Sequence, residues 1–168
     1  MTAETEAVIF DLDGVLVESE QVWAEAKRKV TVELGGTWTD AAVHDMLGMS
    51  SHEWSRYMSE QLRIGLEPAE ISRQVVAELE ARYRANLPVI KGADRAVRRL
   101  AARWRLGLAS SSNREVIELV LSLTGWSTQF AVTVSSDEVP RGKPAPDVYL
   151  EATRRLGVAP ALCVAVED

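Results

Sequence analysis

Two aspartates separated by one leucine follow a short apolar run in the stretch AVIFDLDGVL, residues 7–16. If the run is a buried strand, its side chains alternate between faces, so Asp11 and Asp13 could point the same way where the strand ends. Neighbouring carboxylates repel each other and are costly to remove from water. A turn with self-bonding carboxylates is the structural explanation of such a segment. The functional explanation is a divalent cation that offsets the repulsion.

Three later apolar runs also end in polar side chains. Ser110 ends the run LGLAS, Lys143 lies in the segment SSDEVPRGKPAPDVY, and Glu167 and Asp168 follow the run ALCVAV. Singly, these are explained as a loop serine, a solvated lysine and a polar terminus, although the proline after Lys143 gives it an extended backbone and a defined direction. Together they could form a phosphate pocket. Its parts would be Mg²⁺ on Asp11 and Asp168, the ammonium of Lys143, and backbone N–H groups near Ser110.

The elements that position these groups alternate between strands and helices. Apolar runs bounded by small or polar residues predict buried strands at 7–10, 106–110, 130–135 and 161–166. Helical spacing predicts helices at 93–104, 113–123 and 145–156, the second opened by a capping box of Ser112 and Glu115. This alternation predicts a parallel sheet with right-handed crossovers, whose ligands bind at the carboxyl ends of the strands.

Residues 17–88 contain no strand-like run. Their apolar side chains predict four helices, at about 19–34, 39–47, 51–63 and 68–86. A Ser50/Glu53 capping box opens the third helix and Pro68 opens the fourth. We interpret the aromatic stripes of these helices as a helical core.

A helical insertion at the end of the first strand would cover the site as a cap. The predicted division is therefore an α/β core of residues 1–16 and 89–168 and a four-helix cap of residues 17–88. Opening and closing of the cap are expected to pivot near residues 14–18 and 87–92, where the chain crosses between the two parts.

Composition narrows the class of protein. The chain has 168 residues, of which 46% are hydrophobic and 26% charged, as in ordinary globular proteins. A net charge of −6 without a basic stripe argues against nucleic acid and anionic membranes as partners. The single cysteine, Cys163, cannot form an internal disulfide and is expected in the core. With no signal peptide or membrane-spanning stretch in the sequence, we expect a cytoplasmic protein. We also expect it to be a monomer.

The four strand-end motifs resemble those of the haloacid dehalogenase (HAD) superfamily of phosphotransferases. DLDGVLVESE matches the first motif, LASSS the second, GKPAPDVY the third and VED the fourth, in order along essentially the whole chain. The likeness is greatest to the branch of β-phosphoglucomutases and sugar-phosphate phosphatases, which carries a helical cap between the first two motifs. It implies a Rossmann-like core with that cap. It also implies Mg²⁺-dependent phosphatase activity on a small phosphate ester, with sugar and polyol phosphates as leading candidates.

The resemblance also implies a role for each matched position. Asp11 would be the nucleophile that forms an aspartyl-phosphate, and Asp13 the general acid and then the general base. Ser110 would bind a phosphoryl oxygen, and Lys143 would offset phosphoryl charge and restrain Asp11. The implied Mg²⁺ ligands are Asp11, Asp13 through its backbone carbonyl, Asp168, and Glu167 beside it. True dehalogenases of the superfamily lack the second acid, so Asp13 favours phosphate chemistry.

Loop residues that face the strand ends are expected to set the substrate. The candidates are Gly14, Glu18, Gly48, Met49, Ser50, Ser111 and Ser112. For the last two serines, a place in the loop before a helix is the competing explanation. His44 and His52 are predicted to lie on helix surfaces rather than to bind ligands.

The sequence departs from the mutases at two cap positions. Trp23 replaces a histidine, and Ser51 replaces an arginine that binds the second phosphate. These differences favour a phosphatase over a β-phosphoglucomutase-type phosphoryl transfer, which is the alternative.

A third departure is at the end of the chain. Relatives continue past the acidic pair with a loop, a helix and a further strand, so the last strand and helix of the fold are expected to be absent, leaving the fourth strand as an exposed edge. The chain would then be a fragment or a truncated protein. For a truncated protein, the alternative to an enzyme is a protein that binds a phosphorylated ligand without turnover.

Overall fold

The computed structural model describes residues 4–168 and contains one four-stranded parallel sheet. The strands are β1 (Ala7–Phe10), β2 (Arg105–Ser110), β3 (Phe130–Ser135) and β4 (Cys163–Val166), in the spatial order β3-β2-β1-β4. The predicted α/β fold with a parallel sheet is therefore confirmed. The last strand is shorter than predicted, because a 3-10 turn occupies Pro160–Leu162 and the N–H of Leu162 donates to Ala159 at 2.9 Å.

Three helices cover the two faces of the sheet: α5 (Ala93–Ala101), α6 (Arg114–Thr124) and α7 (Asp147–Leu156). Alternation along the strands separates two layers of core, so Phe10 and Leu108 pack on one face while Ile9 and Ala109 pack on the other, against α7. No helix among residues 4–168 combines the length and the apolar character needed to cross a bilayer.

Helix α6 does not begin as predicted. Asn113 is its N-cap residue, and the predicted capping box of Ser112 and Glu115 is wrong. The physical reason is competition for the hydroxyl, because Ser112 Oγ donates to the carboxylate of Asp13 at 2.7 Å instead of serving the helix.

Strand β4 lies at the edge of the sheet and is only half covered. Val164 is 46% exposed, and Cys163 is half-buried rather than in the core as predicted, because no strand flanks the outer side of β4 among the described residues.

Four helices lie between β1 and α5: α1 (Glu20–Glu33), α2 (Ala41–Asp45), α3 (Ser51–Glu60) and α4 (Pro68–Ala85). Proline at the first position of α4 and a capping box at α3 are both confirmed, the N–H of Ser50 donating to Glu53 at 2.8 Å. Helices α1 and α3 each pack against α4, which buries Leu79 and Tyr83. These helices are the cap expected from the sequence.

The two chain segments that cross between sheet and cap are paired with each other. The N–H of Glu18 donates to Pro88 at 2.8 Å, and the N–H of Ile90 donates to Leu16 at 3.0 Å. Val17 thereby lies beside the returning segment in an antiparallel bridge. The predicted pivots fall on this pair of segments, and the division into core and cap at residues 16 and 89 stays a prediction.

Candidate active site

Asp11 is the first residue after β1 and is buried. Its backbone N–H donates to Val166 at 2.9 Å, so it is fixed to the end of β4. Its Oδ1 accepts from the N–H of Leu12 at 2.7 Å and lies 2.8 Å from Lys143 Nζ. A strand end, a backbone donor and an ammonium therefore hold this carboxylate in one direction.

Lys143 links Asp11 to the end of β4. Its Nζ donates to the two carboxylate oxygens of Glu167 at 3.1 and 3.2 Å and lies 5.1 Å from the centre of the Tyr149 ring. The hydroxyl of Tyr149 also donates to Glu167. The ammonium thus lies between two acids, largely out of solvent, where its charge is weakly screened.

Asp11, Glu167 and Asp168 form a cluster of acids at the carboxyl ends of β1 and β4. One oxygen from each lies within 4.8 Å of the others. Gly14 leaves room for this cluster, because a Cβ built on it would lie 2.2 Å from Oδ2 of Asp168. Clustered carboxylate oxygens are the donor set that hard cations such as Mg²⁺ prefer, so these side chains fit the expected metal.

Burial makes the ionised form of Asp11 costly. It raises the pKa of Asp11 to about 7, against the attraction of Lys143, and Asp13 and Glu167 add to the rise. A cation bound beside Asp11 would favour its ionised form. The acid cluster therefore favours a bound cation, because Lys143 neutralises only part of its negative charge.

The side chain of Asp13 lies apart from the acid cluster and accepts three hydrogen bonds. Trp23 Nε1 donates to its Oδ1 at 3.2 Å, while the hydroxyls of Ser110 and Ser112 donate to its Oδ2 at 3.2 and 2.7 Å. The two aspartates of the first motif therefore have different neighbours. Asp11 faces a lysine and further acids, and Asp13 faces neutral donors from the cap and from the end of β2.

Ser110 is fully buried, and its hydroxyl also accepts from the N–H of Ser112 at 2.9 Å. In this structure it serves Asp13 and the loop after β2, so its expected bond to a phosphoryl oxygen stays a prediction. Ser112 has more than the loop role that was its competing explanation, because it makes the shorter bond to Asp13.

A cleft of about 590 Å³ lies between the strand ends and the cap. Five predicted substrate-binding residues line it: Gly14, Gly48, Met49, Ser111 and Ser112. Among the described residues, Glu18 and Ser50 are not part of its wall, and their role in substrate binding stays a prediction. Glu18 is exposed where its backbone pairs with Pro88, and the hydroxyl of Ser50 is bonded to Glu53 at 2.7 Å in the α3 cap.

The cap side of the cleft contains side chains that were predicted to form a helical core. Trp23 and Trp54 line the cleft, although Trp54 is only 2% exposed, and Trp38, which lies between the predicted helices, lines it as well. Lys27 lies among them with its Nζ 5.3 and 5.0 Å from the centres of the Trp23 and Trp54 rings. Its burial lowers its pKa to about 8. The signal was a lysine four residues after Trp23, on the otherwise apolar face of α1.

The cap contacts the core at the turn that follows β3. The hydroxyl of Ser51 donates to Asp137, in the 3-10 turn Ser136–Glu138. The contact joins the cap to the core and pairs the residue at position 51 with an acid. Elsewhere on the cap, His44 and His52 are exposed, as predicted.

Comparison with known proteins agrees with this architecture. Residues 5–168 match the family model of haloacid dehalogenase-like hydrolases. A bifunctional riboflavin kinase/FMN phosphatase of Arabidopsis thaliana is 34% identical over 96% of the chain, which spans only 43% of that relative. Hexitol phosphatase B of Escherichia coli is 32% identical over 96% of the chain and 74% of the relative.

A solved structure extends the agreement to the fold. The crystal structure of CbbY from Rhodobacter sphaeroides in complex with phosphate superposes with a TM-score of 0.86, at 26% identity, over 98% of this chain and 78% of that one. The expected Rossmann-like fold with a helical cap is confirmed. This chain belongs to the haloacid dehalogenase-like hydrolases.

Proposed function

We propose that the chain is a Mg²⁺-dependent phosphatase that hydrolyses a small phosphorylated metabolite through an aspartyl-phosphate on Asp11. The observation that carries the proposal is the position of Asp11, buried, 2.8 Å from Lys143 and within a cluster of acids that fits Mg²⁺. A second acid, Asp13, is held separately by neutral donors. Two carboxylates in such different surroundings suit two different roles.

The first step is attack by the Asp11 carboxylate on phosphorus, which forms the aspartyl-phosphate and breaks the bond to the leaving oxygen. Asp13 gives that oxygen a proton. It then takes a proton from the water that attacks the phosphorus and releases inorganic phosphate from Asp11. Lys143 offsets negative charge on the phosphoryl group and keeps Asp11 in place, and Ser110 is a further donor toward the phosphoryl oxygens.

Asp11, Asp168, Glu167 and the backbone carbonyl of Asp13 would hold Mg²⁺, which would supply charge neutralisation at the transferring phosphoryl group. The cation would also remove the repulsion among the three acids of the cluster. Gly14, Ser111 and Ser112 would contact the phosphoryl end of the substrate, while Gly48 and Met49 would contact the rest of it from the cap.

Sugar and polyol phosphates are the leading candidates for the substrate, in keeping with the name of the relative hexitol phosphatase B. A cleft of about 590 Å³ suits a small molecule. The family and the named phosphatase relatives support an enzyme that hydrolyses phosphoric monoesters. We propose further that it is a cytoplasmic monomer that acts on neither nucleic acid nor membrane, in keeping with its acidic charge and its single cysteine.

Phosphatase activity is favoured over the mutase alternative. A mutase must hold the second phosphate of a bisphosphate, and position 51 offers a hydroxyl bonded to Asp137 instead of a cation. Water is therefore the proposed final acceptor.

The test is phosphate release from a panel of sugar phosphates and p-nitrophenyl phosphate, with Mg²⁺ and with EDTA. Asp11→Asn should abolish release, while Asp40→Asn, an exposed aspartate in the cap, should leave it unchanged. Release that persists in EDTA or in Asp11→Asn would contradict the mechanism. No release from any ester would favour a protein that binds phosphorylated ligands without turnover.

A further inference from the structure

Lys27 is the charged side chain whose place the mechanism above does not explain. It lies on α1, in the cap, and is only 8% exposed, which is rare for a lysine without a partner. Among residues 4–168 its ammonium has no carboxylate at ion-pair distance and no hydrogen-bond acceptor, and its close neighbours are the faces of Trp23 and Trp54.

Two indole rings stabilise a cation but do not satisfy its N–H donors. The ammonium borders the cleft, where Lys27 and Lys143 are the two basic side chains in the wall formed by the described residues. Lys143 forms ion pairs with Asp11 and Glu167. Lys27 is attracted by the Asp13 carboxylate but pairs with no acid among the described residues, so it is the positive charge in the cleft that is left for a ligand. With a pKa of about 8 it is mainly protonated at neutral pH.

Lys27 lies on the cap side of the cleft, whereas the phosphoryl site lies at the strand ends. The acid cluster and Lys143 come from the strand ends, whereas Lys27, Trp23 and Trp54 come from the cap. A phosphate ester whose phosphorus lies at Asp11 would extend its leaving group toward the cap. The group that meets Lys27 would thus belong to the part of the substrate that departs as the alcohol.

We propose that Lys27 binds a second anionic group, a carboxylate or a phosphate, on the leaving group of the substrate. This deepens the proposed function, on which it rests, by naming the class of ester: one that carries a negative charge at the end remote from the reacting phosphorus. A buried ammonium between aromatic faces attracts such a group strongly, because little water is present there to screen the two charges.

The experiment compares Lys27→Met with wild type on matched esters. Those with a second anion are 3-phosphoglycerate (carboxylate) and fructose 1,6-bisphosphate (phosphate), and their neutral counterparts are glycerol 3-phosphate and fructose 6-phosphate. Methionine keeps an unbranched chain between the two indoles, and thermal unfolding checks that the variant is folded. We expect kcat/KM to fall at least about tenfold for one anionic ester and less than about threefold for its neutral counterpart. Lys27→Arg should recover part of the loss.

An equal loss on anionic and neutral esters would overturn the proposal and assign Lys27 to electrostatic support of Asp13, and no loss would also overturn it. The anionic ester that loses kcat/KM shows whether Lys27 binds a carboxylate or a second phosphate.

Calorimetric titration with 3-phosphonopropionate and propylphosphonate tests the same contact without turnover. Lys27→Met should weaken the binding of 3-phosphonopropionate by about tenfold and leave the binding of propylphosphonate unchanged. If no ester is hydrolysed, the proposed function fails, yet this titration still decides the role of Lys27.

Discussion

Replacing Gly14 with alanine tests the acid cluster directly. Gly14 has φ of +77°, so alanine there adopts a left-handed conformation at a cost of about 1–2 kcal/mol. The new Cβ would lie 2.2 Å from Oδ2 and 2.7 Å from Cγ of Asp168, whereas ordinary contacts begin at 3.4 Å. The carboxylate must therefore retreat by more than 1 Å, out of the position in which it faces Asp11.

Gly65 provides the matched control, because its φ is +72° and a Cβ there meets nothing within 4 Å. Gly14→Ala and Gly65→Ala should lose similar stability without metal, since the exposed Asp168 can turn toward solvent and leave a cluster of like charges. Only Gly14→Ala should lose Mg²⁺ affinity, by about tenfold or more.

The assay is the rise in unfolding temperature with Mg²⁺ concentration, which needs no substrate, beside the Mg²⁺ dependence of phosphate release. Equal Mg²⁺ responses in the two glycine variants would refute the assignment of Asp168 as a ligand. A lost response in Gly65→Ala as well would show that backbone strain in general, and not the moved carboxylate, weakens the site.

Three further perturbations test the surroundings of the site. Because burial raises the pKa of Asp11 to about 7 from 3.8, the folded chain binds more protons than the unfolded chain between these values, so metal-free stability should fall as pH rises from about 5 to about 7.5. Urea unfolding in EDTA should show this slope in wild type and a weaker one in Asp11→Asn, and an unchanged slope would refute the cause given. Trp23→Phe removes the donor to Asp13 and should lower kcat about tenfold with little change in KM, while Trp54→Phe, which has no bond to Asp13, should not. Ser51→Ala removes the hydroxyl that joins cap to core and should increase hydrogen exchange at the start of α3, and unchanged exchange would show that the contact does not hold the cap.

The parallel sheet and its polar edge could be predicted because strand ends are local signals. Apolar runs mark the strands, and the residue after each run must lie at the same edge if the sheet is parallel. Asp11, Lys143 and Asp168 are brought together in this way from positions far apart in the chain. The capping box at Ser50 was equally predictable, because both of its partners lie within one helical turn.

Spacing in the sequence misleads where a polar side chain has more than one available hydrogen-bond partner. Ser112 has the spacing of a capping residue, yet its hydroxyl serves Asp13 across the sheet edge, a contact that local spacing cannot reveal. Ser50 shows the reverse, since its hydroxyl donates to Glu53 in the predicted cap of α3, while its role in substrate binding stays a prediction. A polar side chain near a site must therefore be assigned by its strongest partner.

We expect the cap to determine substrate specificity, because its side chains also have more than one role. Trp23 and Trp54 have the spacing of core residues and are largely enclosed by the cap, but the same rings border the cleft and flank Lys27. A core position tolerates any apolar group of suitable size, whereas these rings also have to place a donor on Asp13 and a cation toward the substrate. In the core, by contrast, Asp11, Asp13 and Lys143 contact one another or neighbouring polar groups, and the proposed mechanism gives them no contact with the alcohol beyond its leaving oxygen. We therefore expect the cap wall to discriminate between esters. In that wall, Trp23 and Trp54 flank the buried ammonium of Lys27, and the acids Glu20 and Glu53 lie beside them.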